Sequence, residues 1–92
     1  MQTIVGREIK HTFGQEATYL SLVGINSKLE KNDNCIVDLS KTKYIDSATI
    51  GFLIDIINEN KENKIQIILS ANVEKILKMM HIYEFLEKYV VL

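Results

Sequence analysis

IVDLSKTKYIDSATIGFLIDI, residues 36–56, reads as a buried strand, a short polar loop and a helix in succession. Cys35 to Leu39 is a continuous apolar run broken only by Asp38 near its carboxyl end, the pattern of a strand inside a parallel sheet. The polar SKTK loop follows, then Tyr44-Ile45. Asp46 or Ser47 is the expected helix cap, because Ile50, Leu53, Ile54 and Ile57 recur at helical spacing on one face of a helix running to about Lys61. Neither cap has Glu or Gln three residues on, so no capping box forms. Ile65 to Leu69 repeats the apolar strand pattern, and the crossover over 40–64 has room for one helix and a right-handed parallel connection. The fold class that follows is α/β: a small, mostly parallel sheet of about three to four strands, covered on both faces by packed helices.

Working outward, Thr3 to Val5 is a short strand followed by Gly6. Phe13, Ala17, Leu20, Leu22, Ile25 and Leu29 recur at three- and four-residue spacings and predict a helix over Glu16 to Lys31, interrupted by Gly24 and ended by Asn32, Asp33 and Asn34. Asn72 is the expected cap of a short helix bearing Val73, Ile76, Leu77 and Met80. Ile82 to Tyr89 reads as a last helix with Phe85 and Leu86 facing inward. Met79, Met80, Tyr83 and Phe85 read as core or edge-of-core residues, and His81 as a capping or packing residue in the turn between two helices. The run NENKENK at 58–64 reads as a solvated helix end whose charges cancel. Without repeats, low-complexity tracts or prolines, residues 1–92 read as a single domain.

Composition narrows the function. A net charge of -1 gives no electrostatic footprint for nucleic acid or for an anionic membrane. Cys35, the one cysteine, sits in an apolar run and suits a buried thiol in a reducing compartment. No leader pattern or membrane-length apolar run is present, so the expected location is cytoplasmic, without membrane insertion. No Gly-rich turn followed by Lys and Ser or Thr can cradle a nucleotide's phosphates. His11, His81 and Cys35 have no paired metal-ligand spacing, and no nucleophile elbow surrounds Ser21 or Ser47. The chain is expected to be no enzyme and to need no cofactor or metal.

Ser47 stands where a strand hands over to a helix. The first-turn N–H groups of a helix lack internal partners, so a phosphate there could accept from them. The same phosphate would stand beside Asp46 and change how the surface meets an acidic or apolar partner. By residue type alone, a serine at this place is a helix cap.

Residues 36–56 also resemble the signature of the STAS domain family, the anti-sigma factor antagonists and their relatives. The shared features are an apolar strand ending in Asp-Leu-Ser, a short loop, an apolar-Asp-Ser element, and a helix with Gly and Leu in its first two turns. Ile65 through Leu86, with ANVEKILKMM and HIYEFL, resembles the family's closing strand and pair of helices. GREI at 6–9 resembles its Gly-containing element before the first helix, so the likeness spans nearly the whole chain. The resemblance implies a docking module without catalysis of its own. Antagonists of this kind bind an anti-sigma factor that is also a serine kinase of the histidine-kinase-like ATPase type. The kinase phosphorylates the start of the helix, a metal-dependent phosphatase reverses this, and partner binding frees a sigma factor.

Carried onto this chain, the implied partner face is Asp46, Ser47, Ala48, Ile50, Gly51 and Phe52 with the neighbouring loop residues Thr42 and Tyr44. Two departures stand out: the usual phosphoacceptor position is Ala48, and the motif's first glycine is Thr49. In stressosome-type scaffold relatives the modified hydroxyl follows the Asp directly, which here is Ser47. Ser47 is therefore the first phosphoacceptor candidate and Thr49 the second, with the backbone competing for the Thr49 hydroxyl. The alternative reading, favoured by Ala48, is a constitutive, unphosphorylated accessory or scaffold subunit of a larger assembly such as a lipid transporter. The amino end is shorter than is common in the family. With Met1 as the start, one sheet edge would be trimmed and exposed, a pairing surface for a homodimer.

Overall fold

The computed structural model describes residues 6–91; the strand expected at Thr3–Val5 lies outside them. In chain order the elements are β1 (Glu8–Thr12), β2 (Glu16–Ala17), a 3-10 turn (Tyr19–Leu22), β3 (Asn34–Leu39), β4 (Tyr44–Ile45), α1 (Ser47–Glu59), β5 (Lys64–Leu69), α2 (Ala71–Met79), α3 (Tyr83–Leu86) and a closing 3-10 turn (Glu87–Tyr89). The main sheet has the order β1-β3-β5 and is parallel throughout, with Ile9 opposite Cys35 and Cys35 opposite Ile65. Beyond it, β2 and β4 form a two-residue parallel pair.

Side-chain alternation along the strands places the core. Cys35, Val37, Leu39, Ile65 and Ile67 are buried on one face, where they meet Leu53, Ile56 and Ile57 of α1, Val73 and Leu77 of α2, and Leu86 of α3. Leu53, Ile56, Leu77 and Leu86 are fully buried, and each such side chain stabilises the fold by about 1.5–3 kcal/mol. Coverage of both sheet faces does not hold among the described residues. Ile36 and Ile68 are only half-buried, lie outside that core, and share their face with Lys10, Asp38 and Gln66. A continuous apolar run specifies strand but does not say how many of its faces a helix covers.

The helix expected over Glu16–Lys31 is replaced by β2, a single 3-10 turn and an irregular crossover. Ala17 is buried by pairing with Ile45, Gly24 sits at φ +81, and the Asn26 side chain accepts from the Lys28 amide. Asn60 finishes the replacement: its buried carboxamide accepts from Leu29 N at 2.7 Å and donates to the Ser27 and Ile56 carbonyls. Asn63 donates to the Glu30 and Asp33 carbonyls. Long-range partners thus take the crossover's backbone groups that a helix would have paired internally.

β1 was not among the expected strands, because EIKHT offers only Ile9 and His11 to the core face. At α2 the cap is Ser70, whose Oγ accepts from Val73 N at 3.1 Å, and Asn72 is instead an exposed residue inside the helix. The helix opens directly from the end of β5, so the serine that leaves the strand with extended backbone does the capping. Met79 and Met80 are exposed, since the inward stripe of α2 is Val73, Ile76 and Leu77, and Met79 at the helix end and Met80 at its cap lie off that stripe. The final helix is shorter than expected: Leu86 is buried, while Phe85 points outward at 47% exposure. Val91 N then donates to Ile67 O at 2.9 Å, so the chain's end pairs along the β5 edge.

Candidate functional site

The Asp-Ser element lies at the amino end of α1, and Asp46 is its cap. With extended backbone (φ -101, ψ 177), its Oδ1 accepts from Thr49 N and Thr49 Oγ1, each at 2.9 Å, and its Oδ2 accepts from Tyr19 N at 2.9 Å. The Thr49 and Tyr19 amides hold the carboxyl below its usual range, so it is ionised at neutral pH. Asp46 N donates to Ala17 O, and Thr49 Oγ1 also approaches Ala17 O at 2.8 Å. The start of α1 is thereby laced to the segment running from β2 into the 3-10 turn.

Ser47 and Ala48 are exposed on the first turn, Gly51 and Asp46 are half-buried, and Tyr44 is 53% exposed on β4. These five are the residues of the expected partner face that reach the surface. Thr42, Ile50 and Phe52 do not. Thr42 is fully buried, its hydroxyl donating to Gly14 O at 2.7 Å and its carbonyl accepting from the Ser70 hydroxyl. Ile50 is in the core, and the Phe52 ring packs edge-on against His11 and Phe13 at 5.9 and 6.3 Å. All three are fold residues, because the helix face that meets the sheet takes positions 49, 50, 52, 53, 56 and 57.

The two candidate hydroxyls differ in access. Ser47 is open to solvent, and no hydrogen bond joins its side chain to another described residue. Thr49 is fully buried with its hydroxyl held between Ala17 O and Asp46, out of reach of a modifying enzyme in this conformation. Ala48 presents only a methyl group.

Tyr19, Leu20 and Val23 went unrecognised as surface residues. They are 64%, 66% and 77% exposed, on a turn that lies against α1. Leu20 alone of the three belongs to the helical spacing that reads as core; Gly24, directly after Val23, is the local signal against a helix there.

The site presents the Ser47 hydroxyl to solvent. Among the described residues the Ser47 side chain has no hydrogen-bonded base, and no group of three His, Cys, Asp or Glu could hold a metal. Cys35 is buried elsewhere, its thiol pushed up to about 11 by desolvation and so kept from forming the reactive thiolate. No described helix is long and apolar enough to cross a membrane.

Neither a curated protein nor a solved structure matches the chain. The family model described as STAS domain matches residues 24–91, which takes in β3, the Asp-Ser element, α1 and everything after it. That match covers more than half of the chain, and the chain therefore belongs to the STAS domain family, whose members are non-catalytic regulatory modules.

Proposed function

We propose that this domain works as an anti-sigma factor antagonist-like docking module whose partner is a serine-kinase anti-sigma factor of the histidine-kinase-like ATPase type, with Ser47 as the phosphoacceptor. The observation that carries this reading is the access of Ser47: it is the exposed hydroxyl at the first position of α1, directly after an ionised Asp46, whereas Thr49 is buried. The docking face is the strip of Tyr44, Asp46, Ser47, Ala48 and Gly51. A dianionic phosphate on Ser47 accepts from first-turn amides other than that of Thr49, which Asp46 already takes, and brings two negative charges to this strip, which opposes docking of an acidic or apolar partner surface. A metal-dependent phosphatase returns the neutral form. The direct Asp-Ser succession supports the stressosome-scaffold variant of this arrangement.

One observation favours a second reading. Ala48, exposed where the classical antagonists carry their acceptor, suits a constitutive accessory or scaffold subunit that docks through the same strip without modification. Affinity capture from the host's own cytoplasm, with mass spectrometry of the bound proteins and of residues 44–61, tests both. A kinase-like ATPase with phosphate localised to Ser47 supports the first. A transport ATPase or a large scaffold with Ser47 unmodified overturns it in favour of the second.

A further inference from the structure

We infer that Asp46 is a clamp on the Tyr19–Leu22 turn and that phosphate on Ser47 opens it, so that the modification moves Tyr19 and Leu20 as well as changing charge. The inference rests on Ser47 being the phosphoacceptor and concerns what that modification does inside the domain.

The turn's hydrogen bonds carry the argument. Ser21 N donates to Thr18 O, Thr18 N to Ser21 Oγ, Ser21 Oγ to Glu16 O, and Ile25 N to Leu22 O, all within the segment itself. Among the described residues, the one hydrogen bond from the turn to the rest of the protein is Tyr19 N to Asp46 Oδ2, at 2.9 Å across 27 positions. The next ties downstream are at Ser27 and Leu29. Burial adds little at the turn's start, since Tyr19 and Leu20 are both about two-thirds exposed, while Leu22 packs at the core's edge. Upstream the segment is held at Ala17, whose carbonyl accepts from Asp46 N and lies 2.8 Å from Thr49 Oγ1, so one carboxylate oxygen is what ties down Tyr19 and Leu20 beyond that anchor.

That oxygen belongs to the residue preceding Ser47. Phosphorylation forms a bond between Ser47 Oγ and the terminal phosphorus of a nucleoside triphosphate. The bond to the bridging oxygen breaks, the nucleoside diphosphate leaves with the electron pair, and the hydroxyl proton passes to the kinase or solvent. The dianion left behind repels the adjacent carboxylate. Of the two carboxylate oxygens, Oδ1 accepts from the Thr49 amide and shares the one Thr49 hydroxyl proton with Ala17 O, whereas Oδ2 is held by Tyr19 alone. The Oδ2 bond is the one that yields, and the Tyr19 amide, already at the surface, passes to water at small cost.

The test follows the Tyr19 amide by hydrogen exchange and NMR in the full chain, with phosphoserine installed at 47 during synthesis, so no partner or kinase enters the experiment. Asp46→Asn is the second variant. Asparagine still caps α1 through its oxygen but turns an NH2 toward Tyr19 N, where donor meets donor. Both forms are expected to speed Tyr19 exchange by roughly three- to ten-fold, the span set by one net hydrogen bond, with Leu53 and Ser21 amides unchanged. Unaltered Tyr19 exchange in Asp46→Asn overturns the clamp. Faster exchange in Asp46→Asn but not with phosphoserine overturns its opening by phosphate. Neither result depends on whether the host modifies Ser47, which the capture experiment decides separately.

Discussion

Asn60, at the end of α1, holds the backbone of Leu29 from 31 positions away: its Oδ1 accepts from Leu29 N at 2.7 Å in a buried site. The same carboxamide donates to the Ser27 and Ile56 carbonyls, so one side chain satisfies three backbone groups of which two belong to a crossover with no helix of its own. Asn60→Ala is expected to lower stability by roughly 2–3 kcal/mol, because the buried Leu29 amide loses its acceptor. Asn60→Asp keeps that acceptor but turns a charge toward two carbonyls; its stability should rise as the pH falls and the acid protonates. Urea unfolding of both variants checks this, and an unchanged midpoint in Asn60→Ala would show that the crossover is held otherwise.

His11 gives the fold a pH dependence near neutrality. Its ring packs on Phe52 and its Nε2 is buried with no partner among the described residues. Burial holds its pKa below the ordinary 6.5. The unfolded chain therefore takes up the proton first, and stability complete above pH 6.5 is lost as the pH falls through the lower folded value. Asp33, Asp38 and Asp46 are all held below 3.8 and lose their contribution only in a more acidic window. Urea midpoints taken between about pH 5 and 8 should slope in the native chain and run flat in His11→Leu.

His81 sits at φ +59 just after α2, where its amide donates to Lys78 O and the Ile82 amide donates to Leu77 O. This pairing closes a helix through a left-handed residue, the position in which glycine avoids the β-carbon penalty. His81→Gly should stabilise the domain by about 1 kcal/mol and raise Tm by about 4–8 °C. A lower Tm would mean that the imidazole itself holds the corner.

Gly51 offers a separation of folding from docking. A β-carbon there would meet no other atom within 4 Å, so the glycine is not required by space inside the domain. Gly51→Ala should stabilise α1 by roughly 0.5–1 kcal/mol, while its added methyl group stands on the proposed docking strip and weakens partner capture. Stabilisation with full capture would remove Gly51 from the interface.

Tyr44 and Phe52 make the complementary pair. Phe52→Ala should cost roughly 3–5 kcal/mol, as for a core aromatic. Tyr44→Ala, on the surface, should stay within about 0.5 kcal/mol while reducing partner capture. Urea unfolding and capture on both variants distinguish a packing residue from a contact residue.

The parts of this protein legible in its residues are those whose signals are local. The apolar runs at Cys35–Leu39 and Ile65–Leu69 are β3 and β5, Asp46 caps α1, and the Ile50, Leu53, Ile57 spacing marks its inner face. Tyr44, Ser47, Ala48 and Gly51, which the family resemblance implies as partner-face residues, reach the surface in the folded chain. Thr42, which the resemblance places on the partner face, is buried, because only the folded chain brings Gly14 O to its hydroxyl.

What the residues alone determined is the strand-loop-helix unit over 36–59 and its likeness to one family, because alternation, capping and apolar spacing act between neighbours in the chain. Tertiary structure decided the state of residues 16–31. Their apolar spacing suits a helix, yet Ala17 pairs with Ile45, Asn60 and Asn63 hold the crossover's backbone, and Asp46 holds Tyr19. Helical spacing in a stretch this short is a weak preference that a few long-range hydrogen bonds and one buried strand pair outweigh. The same partners leave Tyr19 and Leu20 at the surface, with Tyr19 N against the Asp46 carboxylate, a placement that arises only when residues 27 positions apart meet.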